Sequence, residues 1–255
     1  MKDNEQVTSV ARALSLMECF LEAESPTLTL NEISIRSGLY KSTCIRLLQT
    51  LENFQYVEKL DSSEYRIDYK AMRISSLYQT GVQPHEIIIP ALKRLVIETG
   101  ESASYNVARD DQRICIYRID SPNRIRDNIN AGDIFPITRG AVGSILQAFS
   151  KQDDEKFKHL RDSMIAISLG SVEPDTAGMS VPVFSSKNSI EGCLAISGPL
   201  SRFEIGKLEG FSNSLFSCSI SITKKLGGEV SKLESAKLQL SKNNFENKVG
   251  IKIMG

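Results

Sequence analysis

Residues 29–51 read TLNEISIRSGLYKSTCIRLLQTL, and this segment sets the architecture of the first part of the chain. Thr29 and Glu32 have the spacing of a capping box, in which two side chains satisfy backbone N–H groups at a helix start. Gly38 suits a left-handed C-terminal cap, so this first helix is short. A longer helix follows over about Tyr40–Phe54, and its apolar face consists of Cys44, Leu47, Leu48 and Leu51. Two helices joined by a glycine-containing turn predict a helix-turn-helix.

The elements on either side extend this motif. Before it, Ser9 caps a helix over 9–24, in which apolar residues recur at intervals of three and four. After it, residues 56–60 and 64–67 alternate between polar and apolar side chains around a short turn, which predicts a β-hairpin. We therefore predict a winged helix-turn-helix over residues 1–67.

The outward face of the longer helix carries the donors that a helix needs in the DNA major groove. The candidate DNA-binding residues are Arg36, Lys41, Ser42, Thr43, Arg46 and Gln49. Lys41 and Arg46 have the reach for phosphates or for guanine, and Gln49 suits adenine. The first 80 residues nevertheless hold more acidic than basic side chains, so a winged helix that contacts only protein is the alternative.

The rest of the chain predicts a linker helix within residues 68–83, a larger domain over 84–227 and a polar C-terminal tail over 228–255. In the larger domain, helices are predicted over 85–99, 138–149 and 208–226, and strands over 102–109, 112–119, 124–130, 177–184 and 190–197. The charged residues 151–163 are interpreted as a surface connection. Strands joined by hairpins indicate an antiparallel sheet with helices gathered on a face, so the fold class is α+β.

Composition and motifs exclude several classes of protein. The chain has 255 residues, 41% of them hydrophobic, and no net charge, which fits a folded protein of one or two domains. The five scattered cysteines form no C-x-x-C pair, and the N-terminus has no apolar signal core, so we expect a cytoplasmic protein without disulfides, metal or membrane span. Hydrolase and nucleotide-binding motifs are lacking, and His85 and His159 have no partners nearby in sequence, so we predict neither an enzyme nor a bound cofactor.

Short segments spread over residues 9–227 resemble the IclR family of transcriptional regulators. Ser9–Leu14 is similar to the family's S-V-x-R-A-L, and residues 29–51 resemble its L-x-E-I-A-x-x-x-G-L-P-K-S-T-x-x-R-L-L-x-x-L. Further similarities lie, in the family's order, at Tyr65–Ile67, Thr99–Ser102, Val181–Phe184 and Ile196–Pro199. Three departures stand out: Tyr40 replaces the usual Pro, Ala195 replaces a Ser, and the connection between Phe149 and Ile165 is short.

The resemblance implies a fold, partners and a ligand. The fold would be a winged helix, a linker helix and a sensor domain similar to GAF domains, assembled as homodimers or homotetramers on palindromic operators in double-stranded DNA. The effector would be a small organic acid or an aromatic compound.

By the same resemblance, the effector site lies where the helix over 138–149 begins. A helix N-terminus offers N–H groups and a positive dipole end to a carboxylate. The candidate effector-binding residues are Arg139, Gly140, Ala141, Ser168 and Ser197. We therefore expect a ligand-responsive regulator of a metabolic or catabolic operon. Two alternatives remain for the larger domain, a protein-interaction module and, less favoured, an enzyme.

Overall fold

The structure is a computed structural model that describes residues 6–81, 85–150 and 154–242. The chain divides into two compact units, Met1–Val82 and Gln83–Gly255. In the described part of the chain, no helix combines the length and the apolar character needed to cross a membrane.

The first unit is a winged helix-turn-helix, as predicted. Its elements are α1 (Thr8–Leu21), β1 (Thr27–Thr29), α2 (Leu30–Ser37), α3 (Lys41–Asn53), β2 (Val57–Lys59), β3 (Glu64–Ile67) and α4 (Tyr69–Gly81). The three strands form an antiparallel sheet in the order β1-β3-β2. Its core consists of buried side chains from all of these elements except α4, namely Leu16, Cys19, Leu28, Ile33, Cys44, Leu48, Val57 and Tyr65.

Local sequence chemistry builds the turn between the two central helices. The capping box forms: Thr29 Oγ1 accepts from the Glu32 backbone N–H at 3.3 Å, and Glu32 Oε2 accepts from the Thr29 backbone N–H at 2.8 Å. Gly38 has φ +68°, the left-handed conformation that the C-terminal cap requires. Strand β1 was not predicted, because it is three residues long and pairs only with the distant β3.

The second unit is a six-stranded antiparallel sheet with helices on it. Its helices are α5 (His85–Thr99), α6 (Gly140–Ser150), α7 (Lys158–Ser163), α8 (Ile205–Lys225) and α9 (Ser231–Lys242). Its strands are β4 (Ser102–Arg109), β5 (Gln112–Ile119), β6 (Ile134–Pro136), β7 (Ala166–Leu169), β8 (Thr176–Phe184) and β9 (Ile190–Pro199). The strand order is β6-β5-β4-β9-β8-β7, which confirms the antiparallel α+β prediction.

Three expectations for this unit are wrong. Residues 124–130 form no strand; they lie in an irregular segment held by side chains, and the strand that pairs with β5 is β6. Residues 154–163 form a 3-10 turn and α7, whose Phe157 and Leu160 are buried against α6, rather than a surface connection alone. The expected polar tail contains α9, which packs on α8 through Leu233, Ala236 and Leu240. Residues 151–153 and 243–255 lie outside the described part of the chain.

Candidate DNA-binding face and effector cavity

The predicted DNA-binding residues lie on or beside α3. Ser42, Arg46 and Gln49 are exposed and follow one another at intervals of four and three, so they form one stripe on the helix. Lys41 is exposed at the first position of α3, and Thr43 is half-buried. The N-cap Tyr40 gives no side-chain hydrogen bond to the first turn, in which the Thr43 N–H donates to the Tyr40 carbonyl at 2.9 Å.

Arg36 differs from the other five residues. It lies in the last turn of α2, and its guanidinium donates to the Glu22 carbonyl at the end of α1, at 3.3 Å. The hairpin after α3 adds no net positive charge, since it holds three acidic residues against Lys59 and Arg66, and Arg66 forms an ion pair with Glu58 at 2.7 Å. The available cationic side chains of this face are therefore Lys41 and Arg46.

The five predicted effector-binding residues surround one cavity of about 310 Å³ in the second unit. It lies between the start of α6 and the sheet, and Arg139, Gly140, Ala141, Ser168 and Ser197 all line it. Further polar groups come from alternate positions of β4, where Ser104 and Asn106 face the same side. Apolar walls come from Ile129, Phe135, Val142 and Met179. The lining thus combines apolar walls with polar and charged side chains, both of which small-molecule sites use.

Two glycines place the start of α6 at the cavity. Gly140 has φ +71°, which turns the chain from Arg139 into the helix. Gly143 lies against the preceding loop so closely that a Cβ would come within 2.1 Å of the Ile137 carbonyl oxygen. Gln147 Nε2 donates to the same oxygen at 2.8 Å. The N-terminus of α6 is thereby fixed with its first residues at the cavity wall.

Existing hydrogen bonds limit what the predicted polar residues offer a ligand. The Arg139 guanidinium donates to the Val172 carbonyl at 3.1 Å and pairs with Glu173 at 3.5 Å. Ser168 and Ser171 share a hydrogen bond of 2.6 Å between their hydroxyls. Arg139 is therefore partly committed to the protein before any effector binds.

Asp127, which sequence reasoning missed, joins the cavity wall to the sheet. Its Oδ2 accepts from the Ser197 hydroxyl at 2.7 Å, and its Oδ1 accepts from Arg118 at 2.6 Å. Burial lowers the pKa of Arg118, but the hydrogen bonds to Asp127 and Asp120 outweigh it, so the pKa is raised. Asp127 is thus held in the wall by an ion pair and a hydrogen bond, and Ser197, whose hydroxyl donates to it, keeps only its acceptor capacity for a ligand.

Arg113, also missed, is the most unusual residue of the cavity. It lies on β5, is 6% exposed and lines the cavity, with its guanidinium 4.5 Å from the centre of the Phe135 ring. Burial lowers the pKa of this guanidinium, and the positive charge of Arg139 lowers it further. The alternation of side chains along β5 could have indicated that Arg113 is buried, because Arg113 lies on the same strand face as Cys115 and Tyr117, which are also buried.

Known protein families match both parts of the chain. The IclR helix-turn-helix domain matches residues 9–61, and the bacterial transcriptional regulator IclR C-terminal domain matches residues 77–160. The chain is 22% identical to the HTH-type transcriptional regulator KipR of Bacillus subtilis, over 86% of this chain and 97% of that protein. It is 23% identical to the transcriptional repressor IclR of Escherichia coli, over 88% and 91%.

Solved structures show the same fold. An IclR transcriptional regulator from Alicyclobacillus acidocaldarius has a TM-score of 0.76 and 23% identity, covering 88% of this chain and all (100%) of that one. An IclR homolog from Microbacterium hydrocarbonoxydans, solved in complex with 4-hydroxybenzoate, has a TM-score of 0.72 and 17% identity, covering 86% and 98%. The matched family is one of transcriptional regulators, which confirms the prediction of a non-enzyme. The chain therefore belongs to the IclR family of transcriptional regulators, with a helix-turn-helix DNA-binding domain and the family's ligand-sensing C-terminal domain.

Proposed function

We propose that this regulator binds a palindromic operator through α3 and changes its operator affinity when a small organic acid occupies the cavity at the start of α6. The target would be a metabolic or catabolic operon, and the protein would act in the cytoplasm, where the operator is. The observation that carries the proposal is the convergence of Arg139, Gly140, Ala141, Ser168 and Ser197 on one cavity beside a helix N-terminus. The 4-hydroxybenzoate bound by the Microbacterium hydrocarbonoxydans homolog gives one example of the acid class.

For the DNA-binding part, the support is the stripe on α3. Ser42, Arg46 and Gln49 are exposed together, and no ion pair engages Lys41 or Arg46 among the ion pairs of the described residues. Phosphate contacts by such residues release counterions, so operator affinity should fall steeply with salt concentration.

We further propose that the protein is a homodimer, or a tetramer built from dimers, because a twofold operator needs a twofold protein. Exposed apolar side chains on α4 and α1 support an interface there. On α4, Met72 is 70% exposed and Ile74 is 47% exposed; on α1, Val10 is 55% and Leu14 is 59% exposed. Leu77, which we also expect at the interface, is exposed as well, and the side chain of Tyr78 lies outside the described residues.

The test has two stages. DNA fragments that bind the full chain are selected from a random pool, and the operator thus found is titrated with protein in the presence and absence of acids. We expect a palindromic sequence, a dimer or larger by light scattering, and a changed operator affinity with at least one acid. A monomer with full operator affinity contradicts the dimer, and a second unit that binds a protein but no acid supports the interaction-module alternative.

A further inference from the structure

Arg113 is a buried cation that has no counter-ion among the residues that the structure describes. It is 6% exposed, its Nε is buried without a hydrogen-bond partner, and no carboxylate forms an ion pair with it in the described part of the chain. Burial lowers the pKa of Arg113, and the charge of Arg139, which is also a cation, lowers it further. Burial of a charge without a partner is costly, so folding alone gives no reason to keep an arginine here.

The strand register explains how Arg113 is held in place. Arg113 of β5 lies directly opposite Phe135 of the edge strand β6, and the guanidinium rests over that ring. A ring face attracts a cation, but far more weakly than an anion does in a site shielded from water. Phe135 therefore orients the guanidinium at the cavity and excludes water from one side, while the positive charge stays unbalanced.

The other arginine of the cavity is less suited to the same task. Arg139 is about half exposed, and Glu173 and the Val172 carbonyl already accept from its guanidinium. An anion that approached Arg139 would compete with Glu173 and with water. An anion that approached Arg113 would compete with neither and would supply the acceptor that the buried guanidinium lacks.

The sheet order separates the two ends of the cavity. Arg113 lies on β5 and Ser168 lies on β7, with β4, β9 and β8 between them, and α6 begins beside Val172 just after β7. The wall between these ends combines the apolar side chains of Ile129, Val142 and Met179 with polar side chains of β4 and β9, namely Ser104, Asn106 and Ser197. A molecule that fills the cavity thus meets an arginine without an ion partner among the described residues at one end, a mixed apolar and polar wall in the middle and the Ser168 hydroxyl at the other end.

We propose that Arg113, rather than Arg139, binds the anionic group of the effector, so that the effector is a small carboxylic acid lying with its carboxylate at β5 and its body towards the hydroxyl of Ser168. The inference rests on the proposed function, since it specifies how the same cavity recognises an acid. Bidentate pairing of a guanidinium with a carboxylate would make the site selective for charge and planarity.

The experiment compares Arg113→Met with the matched variant Arg139→Met in the full chain. Binding is followed by calorimetry and by the shift in melting temperature, with acids and their neutral amides as probes: acetate and acetamide, and 4-hydroxybenzoate and 4-hydroxybenzamide. We expect Arg113→Met to weaken acid binding by about 10- to 100-fold and Arg139→Met by much less. The preference of the wild type for each acid over its amide should disappear in Arg113→Met and persist in Arg139→Met.

The ligand-free variants give a second, independent readout. Since Arg113→Met removes an unbalanced buried charge and keeps an apolar stem over Phe135, its melting temperature should equal or exceed that of the wild type. A lower melting temperature together with unchanged acid binding would show a purely structural arginine and would overturn the inference. Acid binding that depends on Arg139 and not on Arg113 would overturn it as well. If no acid binds the wild type at any concentration, the proposed function itself fails, which distinguishes the two failures.

Discussion

The Ser197 hydroxyl donates a hydrogen bond of 2.7 Å to Asp127, and so ties β9 to the irregular segment that forms one wall of the effector cavity. The same carboxylate accepts from Arg118, whose side chain is 4% exposed, while the side chain of Asp127 is 8% exposed. This irregular wall is thus held by a buried ion pair and a hydroxyl at Asp127, and by Arg202, which donates to the Ile125 carbonyl at 3.0 Å.

Asp127→Asn should destabilise the second unit. The change keeps the shape of the side chain but leaves the half-exposed Asp120 as the one ion partner of the buried Arg118 among the described residues. We expect a loss of about 1 to 3 kcal/mol in the free energy of unfolding, measured by urea denaturation. The matched variant Asp120→Asn, whose side chain is 49% exposed, should cost less than about 1 kcal/mol. Equal losses in both variants would contradict the role given to Asp127.

Two glycines of helices should respond in opposite ways to alanine. Gly210→Ala in α8 places its Cβ in open space, so the better helix propensity should raise the free energy of unfolding by about 0.5 to 1 kcal/mol. Gly143→Ala in α6 would place a Cβ 2.1 Å from the Ile137 carbonyl oxygen. The clash should lower the free energy of unfolding by roughly 2 kcal/mol or more. Thermal unfolding of both variants decides this; stabilisation by Gly143→Ala would show that α6 is not pressed against the loop that leads to the cavity.

The face of α3 should account for operator binding. The double variant Lys41→Ala, Arg46→Ala removes the two cationic side chains of that face, and we expect a loss of roughly 2 kcal/mol or more in operator affinity. The slope of the logarithm of the binding constant against the logarithm of the salt concentration should decrease in magnitude by about two, because two phosphate contacts are lost. Lys187→Ala, which removes one exposed positive charge in the second unit, is the control and should bind the operator like the wild type. Full operator affinity in the double variant would show that the DNA binds to a surface other than this face of α3.

The cysteines should be inert in the folded protein. All five are buried, and burial raises the pKa of Cys115 and Cys218 to about 11 and that of Cys193 to about 12. A thiol-specific reagent at about pH 8 should therefore react slowly with the native chain and rapidly with all five thiols after denaturation. The pKa of Cys115 is about 11 in the folded protein and has the ordinary value of 9.0 after unfolding, so the unfolded chain loses this proton first. The stability that the buried neutral thiol contributes is therefore complete below about pH 9 and is lost as the pH rises towards 11. Rapid modification of the native protein would contradict the described packing.

Local rules predicted the parts of the fold that local chemistry determines. Thr29 and Glu32 form the expected capping box, Gly38 adopts the expected left-handed conformation, and β4 and β5 have the predicted limits around Asp110. The prediction failed where distant groups decide the conformation. Arg124–Asn130 alternates like a strand, but Arg118, Ser197 and Arg202 hold that segment in an irregular course. In α9, the spacing of Leu233, Ala236 and Leu240 was a readable helical signal.

The residues that line the candidate effector cavity were predicted in part. The resemblance to the family placed five residues that prove to line one cavity, and the glycine at position 140 has the positive φ that makes it unsuited to replacement by a branched residue. A Gly140→Val variant would therefore strain the backbone and also meet Val172, so a loss of binding in it would not identify the cavity. Arg113 and Asp127 could not be found from motifs, because their roles depend on the sheet register and on a segment without regular structure.

If the protein is an acid-responsive regulator, acid binding and operator binding must be coupled to each other. An effector shifts operator affinity only by its differential affinity for the two states of the protein, and the operator must shift acid affinity by the same factor. The operator Kd of the full chain is measured by fluorescence anisotropy with and without a saturating acid, and the acid Kd is measured by calorimetry with and without operator. We predict matching factors of about 5 to 150 in the two titrations; an operator Kd that stays the same while the acid is bound would refute the proposed coupling.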